Sequence, residues 1–244
     1  MLPRVGTYPF QPDPYLTDFN GKVTLPVLVG YMLQAATKHA EERGFGHSLM
    51  KDTGKAWVLS RMMIGMNEYP GSEAGIKLHT WVADVNKLFT ERCFAIENDK
   101  GKKIGYARSV WASIDLFSRR PTLLTTLAGL TDFVSEGSCP IDEAKKIPAI
   151  QESKAAVEHL VVKYSDIDIN KHLNSIKYIE YFIDTFDLER FDKKKIKQFE
   201  INYLSEAQYG NRLDIFRQQD EDDLFRLEMK RDERIISTAR ITWE

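Results

Sequence analysis

Cysteine is scarce in this sequence: Cys93 and Cys139 are the two that occur, and neither belongs to a CxxC pattern. A zinc site or a redox motif is therefore not indicated, and we predict two free thiols in a reducing compartment. Residues 1–15 also lack the apolar core of a signal peptide and the Arg- and Ser-rich character of a transit peptide. No apolar run is long enough to span a bilayer. Together these absences predict a cytoplasmic protein without membrane contact.

An excess of either charge is also missing, since 34 Lys and Arg residues stand against 36 Asp and Glu residues. A formal net charge of −2 does not suggest nucleic acid or an anionic membrane as a partner. What the chain does have is 244 residues that are 43% hydrophobic, which fits a globular protein of one large domain or two ordinary ones. Such a chain can bury a sizeable core without disulfides or metals.

Two segments have the apolar spacing of an amphipathic helix. The first, residues 24–44, has Thr24 as its expected N-cap and Gly44 as its expected C-terminal stop. The second covers residues 174–187. Alternating or apolar runs bounded by Gly, Pro and polar residues predict an antiparallel meander after each helix. The predicted strands are 55–69, 76–85, 89–98, 103–117, 159–164, 197–204, 212–217, 224–230 and 235–243.

The two halves of the chain resemble each other. Asp-Phe-Asn at 18–20 precedes the first helix, and Asp-Ile-Asn at 168–170 precedes the second. Ala-Arg-Ser-Val-Trp at 107–111 closes the first meander, and Ala-Arg-Ile-Thr-Trp at 239–243 closes the second. Two matches in register with the same order of elements indicate an internal duplication.

This order predicts an α+β protein of the double hot-dog type, in which each of two tandem domains wraps an antiparallel sheet around a long helix. We expect an N-terminal hot-dog domain at 1–120, an inter-domain connection at 121–154 and a C-terminal hot-dog domain at 155–244. The helix N-termini of such domains carry free N–H groups and the positive end of the helix dipole. They are therefore suited to hold the oxyanion of a tetrahedral acyl intermediate.

The two copies differ where chemistry would occur. The histidine of the second copy, His172, is replaced by Lys22 in the first, and a typical lysine ammonium cannot accept a proton at neutral pH. Glu206 follows a predicted strand of the second copy, whereas its expected counterpart near 70–71 contains no carboxylate. The first domain therefore has a degenerate site. The polar set found in the second half alone is Asp168, Asn170, His172 and Glu206.

This set suits hydrolysis of an acyl thioester. We expect Asn170 and the helix N-terminus to polarise the carbonyl, and Glu206, His172 or both to take a proton from attacking water. Asp168 would orient the loop. Direct attack by water is the simplest chemistry, because the chain has no Ser in a GxSxG turn, and a covalent Glu206 intermediate stays open. Each residue also has a structural reading: Asp168 and Asn170 would make an Asx turn and cap the helix, His172 would be a solvated or capping residue, and Glu206 would be a surface charge.

The segment 164–179, YSDIDINKHLNSIKYI, resembles the signature of the acyl-acyl carrier protein thioesterases of plant plastids and bacteria. The resemblance extends to Trp-Val-Leu-Ser-Arg at 57–61, Thr-Trp at 80–81 and Ser-Arg-Arg-Pro at 118–121, so it covers nearly the whole chain. It implies a double hot-dog fold, hydrolysis of fatty acyl chains from acyl carrier protein, and an N-terminal domain that binds the acyl chain. Without a transit peptide, the chain is similar to bacterial members.

The same resemblance implies roles for individual residues. The catalytic Asp, Asn and His of the family match Asp168, Asn170 and His172, and the family Glu matches Glu206. Many plant members have Cys directly after that Glu, whereas this chain has Ala207. A Cys–His mechanism is therefore not available at this position.

Four questions stay open from the sequence. A hydrolase of acyl-coenzyme A would use the same set, and a non-catalytic acyl-binding module would use it only as caps. Arg119 and Arg120 would meet an acidic carrier protein or lie in a solvated loop. A homodimer is neither indicated nor excluded. We predict no metal ion and no organic cofactor. Four methionines would line an acyl tunnel or form ordinary core, namely Met32, Met62, Met63 and Met66.

Overall fold

The computed structural model describes residues 2–127, 129–151 and 155–244, and the chain divides into two compact units. The first unit is Met1–Ala144 and the second is Lys145–Glu244. The segment 121–154, expected to be an inter-domain connection, is shared between the units, since its residues up to Ala144 belong to the first.

The first unit is one antiparallel sheet with a long helix. Its elements are β1 (Gly6–Phe10), α1 (Leu25–Glu42), α2 (His47–Asp52), β2 (Lys55–Met66), β3 (Ile76–Val85), β4 (Phe89–Asn98) and β5 (Lys103–Asp115). The strands are hydrogen-bonded in the order β1-β3-β4-β5-β2. The predicted bounds of β3 and β4 are confirmed, while β1 and the short helix α2 were not predicted.

Helix α1 buries one side and exposes the other, as its apolar spacing predicts. Leu28, Val29 and Met32 are fully buried, and each such side chain stabilises the fold by about 1.5 to 3 kcal/mol through burial. The helix ends because Gly44 adopts a positive φ of 78°, which lets Phe45 N–H reach the Ala40 carbonyl at 3.1 Å. In the part of the chain that is described, no helix is long and apolar enough to cross a membrane. The four methionines singled out in the sequence are all buried: Met32, Met62, Met63 and Met66.

The second unit repeats this topology. Its elements are β6 (Glu158–Val161), α3 (Ser175–Ile183), α4 (Leu188–Lys193), β7 (Ile196–Tyr203), β8 (Arg212–Glu221), β9 (Leu224–Arg231) and β10 (Arg234–Trp243). The strands pair in the order β6-β8-β9-β10-β7, which matches the first unit strand for strand. The α+β class is confirmed. Helix α3 ends before the predicted residue 187, and beyond it Phe186 N–H donates to the Ile183 carbonyl at 3.1 Å in a turn that does not continue the helical hydrogen-bond pattern.

The prediction of two free thiols is wrong, because Cys93 and Cys139 form a disulfide. After β5 the chain turns back along the sheet of the first unit, and Ser135 N–H donates to the Val82 carbonyl of β3 at 2.8 Å. This return places Cys139 beside Cys93 of β4, with the two Cα atoms 5.9 Å apart. The return segment has no periodic pattern, so the sequence did not show that it lies on the sheet.

Candidate active site

The loop that leads into α3 is shaped by one aspartate. A 3-10 turn, Tyr164–Asp166, is followed by a tight turn in which Lys171 N–H donates to the Asp168 carbonyl at 3.0 Å. The Asp168 carboxylate accepts hydrogen bonds from the backbone N–H of Asn170 at 2.8 Å and of His172 at 3.1 Å. Lys171 adopts a positive φ of 63°. Asp168 therefore fixes the backbone that carries both Asn170 and His172.

The first turn of α3 is capped by Asn174, whose Oδ1 accepts from Ile176 N–H at 2.9 Å. Its carbonyl accepts from Lys177 N–H, also at 2.9 Å. These two amides are therefore engaged within the protein. Asn170 is exposed at the tip of the turn and offers a side-chain amide.

We expect Asn174→Ala to lower the free energy of unfolding of the second unit by about 1 kcal/mol, since it removes the side-chain cap. Thr24→Ala is the matched control: Thr24 has the same place before α1, but its side chain makes no capping hydrogen bond. Chemical denaturation of both variants measures the difference. Equal losses would show that the Asn174 contact contributes nothing specific.

Glu206 lies in the turn after β7, and backbone contacts bring this turn to the Asp168 loop. Leu173 N–H donates to the Ala207 carbonyl at 2.8 Å, and His172 forms an isolated bridge with Gln208. As a result, His172 Nε2 lies 3.3 Å from Glu206 Oε2. The structure thus places side by side an imidazole and a carboxylate that are 34 positions apart in the sequence (172 to 206).

The pair faces solvent unequally. The Glu206 side chain is 45% exposed, whereas that of His172 is 20% exposed. A carboxylate that is open to solvent and held by an imidazole can accept a proton from water at a neighbouring carbonyl. Of the four residues predicted for the site, His172 and Glu206 are in contact. Asp168 holds the backbone of the loop that carries His172, and Asn170 is exposed on the same loop.

The first unit contains the same loop without this pair. The Asp18 carboxylate accepts from the N–H groups of Asn20 and Lys22, both at 2.9 Å. Gly21 has a φ of 68°, close to that of its counterpart Lys171. Because the backbone is the same while the histidine is replaced by Lys22, the aspartate has a structural role that does not depend on catalysis.

The counterpart of Glu206 is Tyr69, one residue before the position expected from the sequence. Val23 N–H donates to the Pro70 carbonyl as Leu173 N–H donates to Ala207, which aligns the two turns. Burial, reinforced by the Asp18 carboxylate, raises the pKa of the Tyr69 phenol well above its ordinary value. The first unit therefore has a neutral phenol where the second has a carboxylate.

Two residues that were not singled out in the sequence hold the Glu206 turn. The Tyr178 hydroxyl on α3 contacts the backbone on both sides of Glu206, and Arg231 Nη1 donates to the Glu206 carbonyl at 3.0 Å. Tyr178 is 3% exposed. A buried tyrosine usually has a hydrogen-bond partner for its hydroxyl, but the sequence does not show that this tyrosine is buried beside the Glu206 turn.

Family models match most of the chain. The model described as the acyl-ACP thioesterase N-terminal domain matches residues 7–126, and the one described as the acyl-ACP thioesterase C-terminal domain matches residues 150–244. The chain belongs to the acyl-ACP thioesterase family. This confirms the resemblance noted in the 164–179 segment, and the family models cover both copies of the loop.

Solved structures support membership of the acyl-ACP thioesterase family over the full length. An acyl-ACP thioesterase from Bacteroides thetaiotaomicron is 39% identical with a TM-score of 0.94, over 99% of this chain and 98% of that one. A 12:0-ACP thioesterase from Umbellularia californica has a TM-score of 0.90 at 18% identity, over 100% of this chain and 98% of that one, and shows the shared fold. The predicted double hot-dog fold is confirmed.

Plant members of the acyl-ACP thioesterase family are more distant and longer. Oleoyl-acyl carrier protein thioesterase 2 of Arabidopsis thaliana, a chloroplast protein, is 23% identical over 222 residues. That match takes in 82% of this chain and 59% of the plant protein. The chain thus spans little more than half the length of this relative.

Proposed function

We propose that the protein hydrolyses fatty acyl-acyl carrier protein to free fatty acid and acyl carrier protein. The observation that carries the proposal is the contact between His172 Nε2 and Glu206 Oε2 at 3.3 Å, next to the N-terminus of α3. Membership of the acyl-ACP thioesterase family and the full-length likeness to a bacterial enzyme of that name support the choice of substrate.

In the proposed reaction, water attacks the thioester carbonyl carbon directly. Glu206 accepts the proton of that water, because its carboxylate is the more exposed member of the pair, and His172 orients the carboxylate. A tetrahedral intermediate forms and then collapses with cleavage of the carbon–sulfur bond. The departing thiolate of the carrier takes up the proton that Glu206 received from water, so the carboxylate is restored and the products are a fatty acid and a free thiol.

The developing oxyanion needs a donor. The Asn170 side-chain amide is proposed for this role, aided by the dipole of α3, since two first-turn amides are engaged with Asn174. The Asp168 carboxylate does not reach the substrate in this scheme. It holds Asn170 and His172 in place through two backbone N–H groups.

The test is release of free thiol from acyl carrier protein and coenzyme A thioesters of matched chain lengths. We expect faster release from the carrier protein, with a maximum at one chain length. Faster release from coenzyme A thioesters would indicate a hydrolase of acyl-coenzyme A that uses the same residues and the same reaction. No release from either would favour a non-catalytic acyl-binding module.

The same assay tests the residues. Asn170→Ala, His172→Ala and Glu206→Ala should each slow release by about 10²- to 10⁴-fold if they act as donor, partner and base. Lys22→Ala, at the His172 position of the first unit, is the matched control and should leave the rate unchanged. The site assignment fails if all three variants keep full turnover.

A further inference from the structure

The turn that carries Glu206 is held at three consecutive residues. Tyr178 O–H donates to the Ser205 carbonyl at 3.3 Å, and Ala207 N–H donates to the same Tyr178 oxygen at 3.2 Å. Between them, the Glu206 carbonyl accepts from Arg231 Nη1 at 3.0 Å. A single hydroxyl on α3 therefore bonds the residues immediately before and after Glu206.

The hydroxyl has a role that ring packing does not supply. The Tyr178 ring packs edge-on against Tyr203, with centroids 5.5 Å apart at 88°, and a phenylalanine ring would keep that contact. Burial raises the pKa of Tyr178 to about 12, so the hydroxyl stays protonated at neutral pH and can donate and accept together. Without it, the N–H of the fully buried Ala207 would lose its partner.

The first unit offers an internal comparison. Loop and helix run without a gap in both copies, so Tyr178 corresponds to Leu28, which is fully buried in α1. The copy with Tyr69 in place of Glu206 thus also has leucine in place of the tyrosine. The hydroxyl is absent where there is no carboxylate to hold.

We propose that Tyr178 is a positioning residue, which keeps the Glu206 carboxylate against His172 by fixing the backbone on both sides of it. The inference rests on the proposed function, because it assigns a task to the side chain that holds the proposed base. A general base acts efficiently only at the right distance from the proton it takes, and a shift of about 1 Å can cost about 10²-fold in rate.

Tyr178→Phe is expected to lower kcat by about 10- to 100-fold and to leave KM nearly unchanged, because binding of the acyl chain does not need the hydroxyl. Tyr203→Phe is the matched control. It removes a hydroxyl from the same ring pair, one that donates to the Ser175 carbonyl at 2.9 Å and does not touch the Glu206 turn. Its kcat should stay close to that of the wild type.

A double-mutant cycle separates positioning from a general structural role. If Tyr178 acts through Glu206, adding Tyr178→Phe to Glu206→Gln should lower the residual rate little further. A full 10- to 100-fold further loss would overturn the inference, as would wild-type kcat in Tyr178→Phe or an equal loss in Tyr203→Phe. Thermal melts of each variant ensure that rates are compared on folded protein.

The cycle also distinguishes this inference from the proposed function. If Glu206→Gln is impaired and Tyr178→Phe is fully active, the positioning role of Tyr178 is refuted and the proposed function stands. If Glu206→Gln itself turns over like the wild type, the proposed base is wrong and the positioning role falls with it.

Discussion

Glu206→Gln should lower kcat by about 10²- to 10⁴-fold, the range in which general acid–base groups contribute. The substitution keeps the shape of the side chain and its contact with His172 but removes the capacity to accept a proton at neutral pH. Because Glu206 is not required to hold the acyl chain, KM should change little. Steady-state thiol release from acyl carrier protein thioesters measures both constants.

Glu68→Gln is the matched control for this change. Glu68 lies next to Tyr69, in the turn of the first unit that corresponds to the Glu206 turn, and it pairs with Lys102 Nζ at 2.9 Å. Its loss removes a carboxylate from the unit that lacks the proposed base, so turnover should be unchanged. A large rise in KM with unchanged kcat in Glu206→Gln would show that Glu206 binds substrate and takes no proton. Burst-phase release of thiol by the wild type would instead indicate a covalent intermediate.

Breaking the Cys93–Cys139 disulfide should lower the free energy of unfolding of the first unit by about 3 to 4 kcal/mol. The crosslink closes a loop with a sequence separation of 46, and a loop of that length restricts the unfolded chain strongly. Cys93 is fully buried in β4 beside Trp81. Because Cys139 lies on the return segment, the disulfide also ties that segment to the sheet. Denaturant unfolding of Cys139→Ser against the oxidised wild type measures the loss.

Reductant provides the control for the disulfide prediction. It should destabilise the wild type to the level of Cys139→Ser and leave that variant unaffected. Equal midpoints for the wild type with and without reductant would contradict the prediction. The cytoplasmic location predicted from the sequence stays a prediction, and alkylation of the thiols in cells would test it, because a reducing compartment disfavours disulfides.

The repeated order of elements made the fold predictable from the sequence. Strands β3 and β4 were predicted to the residue because alternating apolar side chains and flanking turns define them from local information. Strand β1 was missed, since Gly6–Phe10 is short and contains Pro9, which a strand tolerates when it lies at a sheet edge. The disulfide was missed because it depends on where an aperiodic segment returns.

The members of the candidate site were predicted, but their arrangement was not. His172 and Glu206 were grouped because both are replaced in the first copy. Their 3.3 Å contact depends on a backbone hydrogen bond between Leu173 and Ala207, which a local sequence pattern does not predict. Tyr178 was missed for the same reason. Its partners are the carbonyl and amide of a distant turn, and backbone groups leave no signature in a sequence.

The pair of loops built around Asp18 and Asp168 has a consequence for interpreting related genes. Both aspartates make the same two backbone hydrogen bonds, although only one stands beside a histidine and a glutamate. Selection for a folded loop alone would therefore preserve this aspartate in a copy that has lost its chemistry. In duplicated chains of this kind, the aspartate marks the ancestry of a domain. If the proposed reaction holds, the residues at the positions of His172 and Glu206 mark whether that domain still turns over substrate.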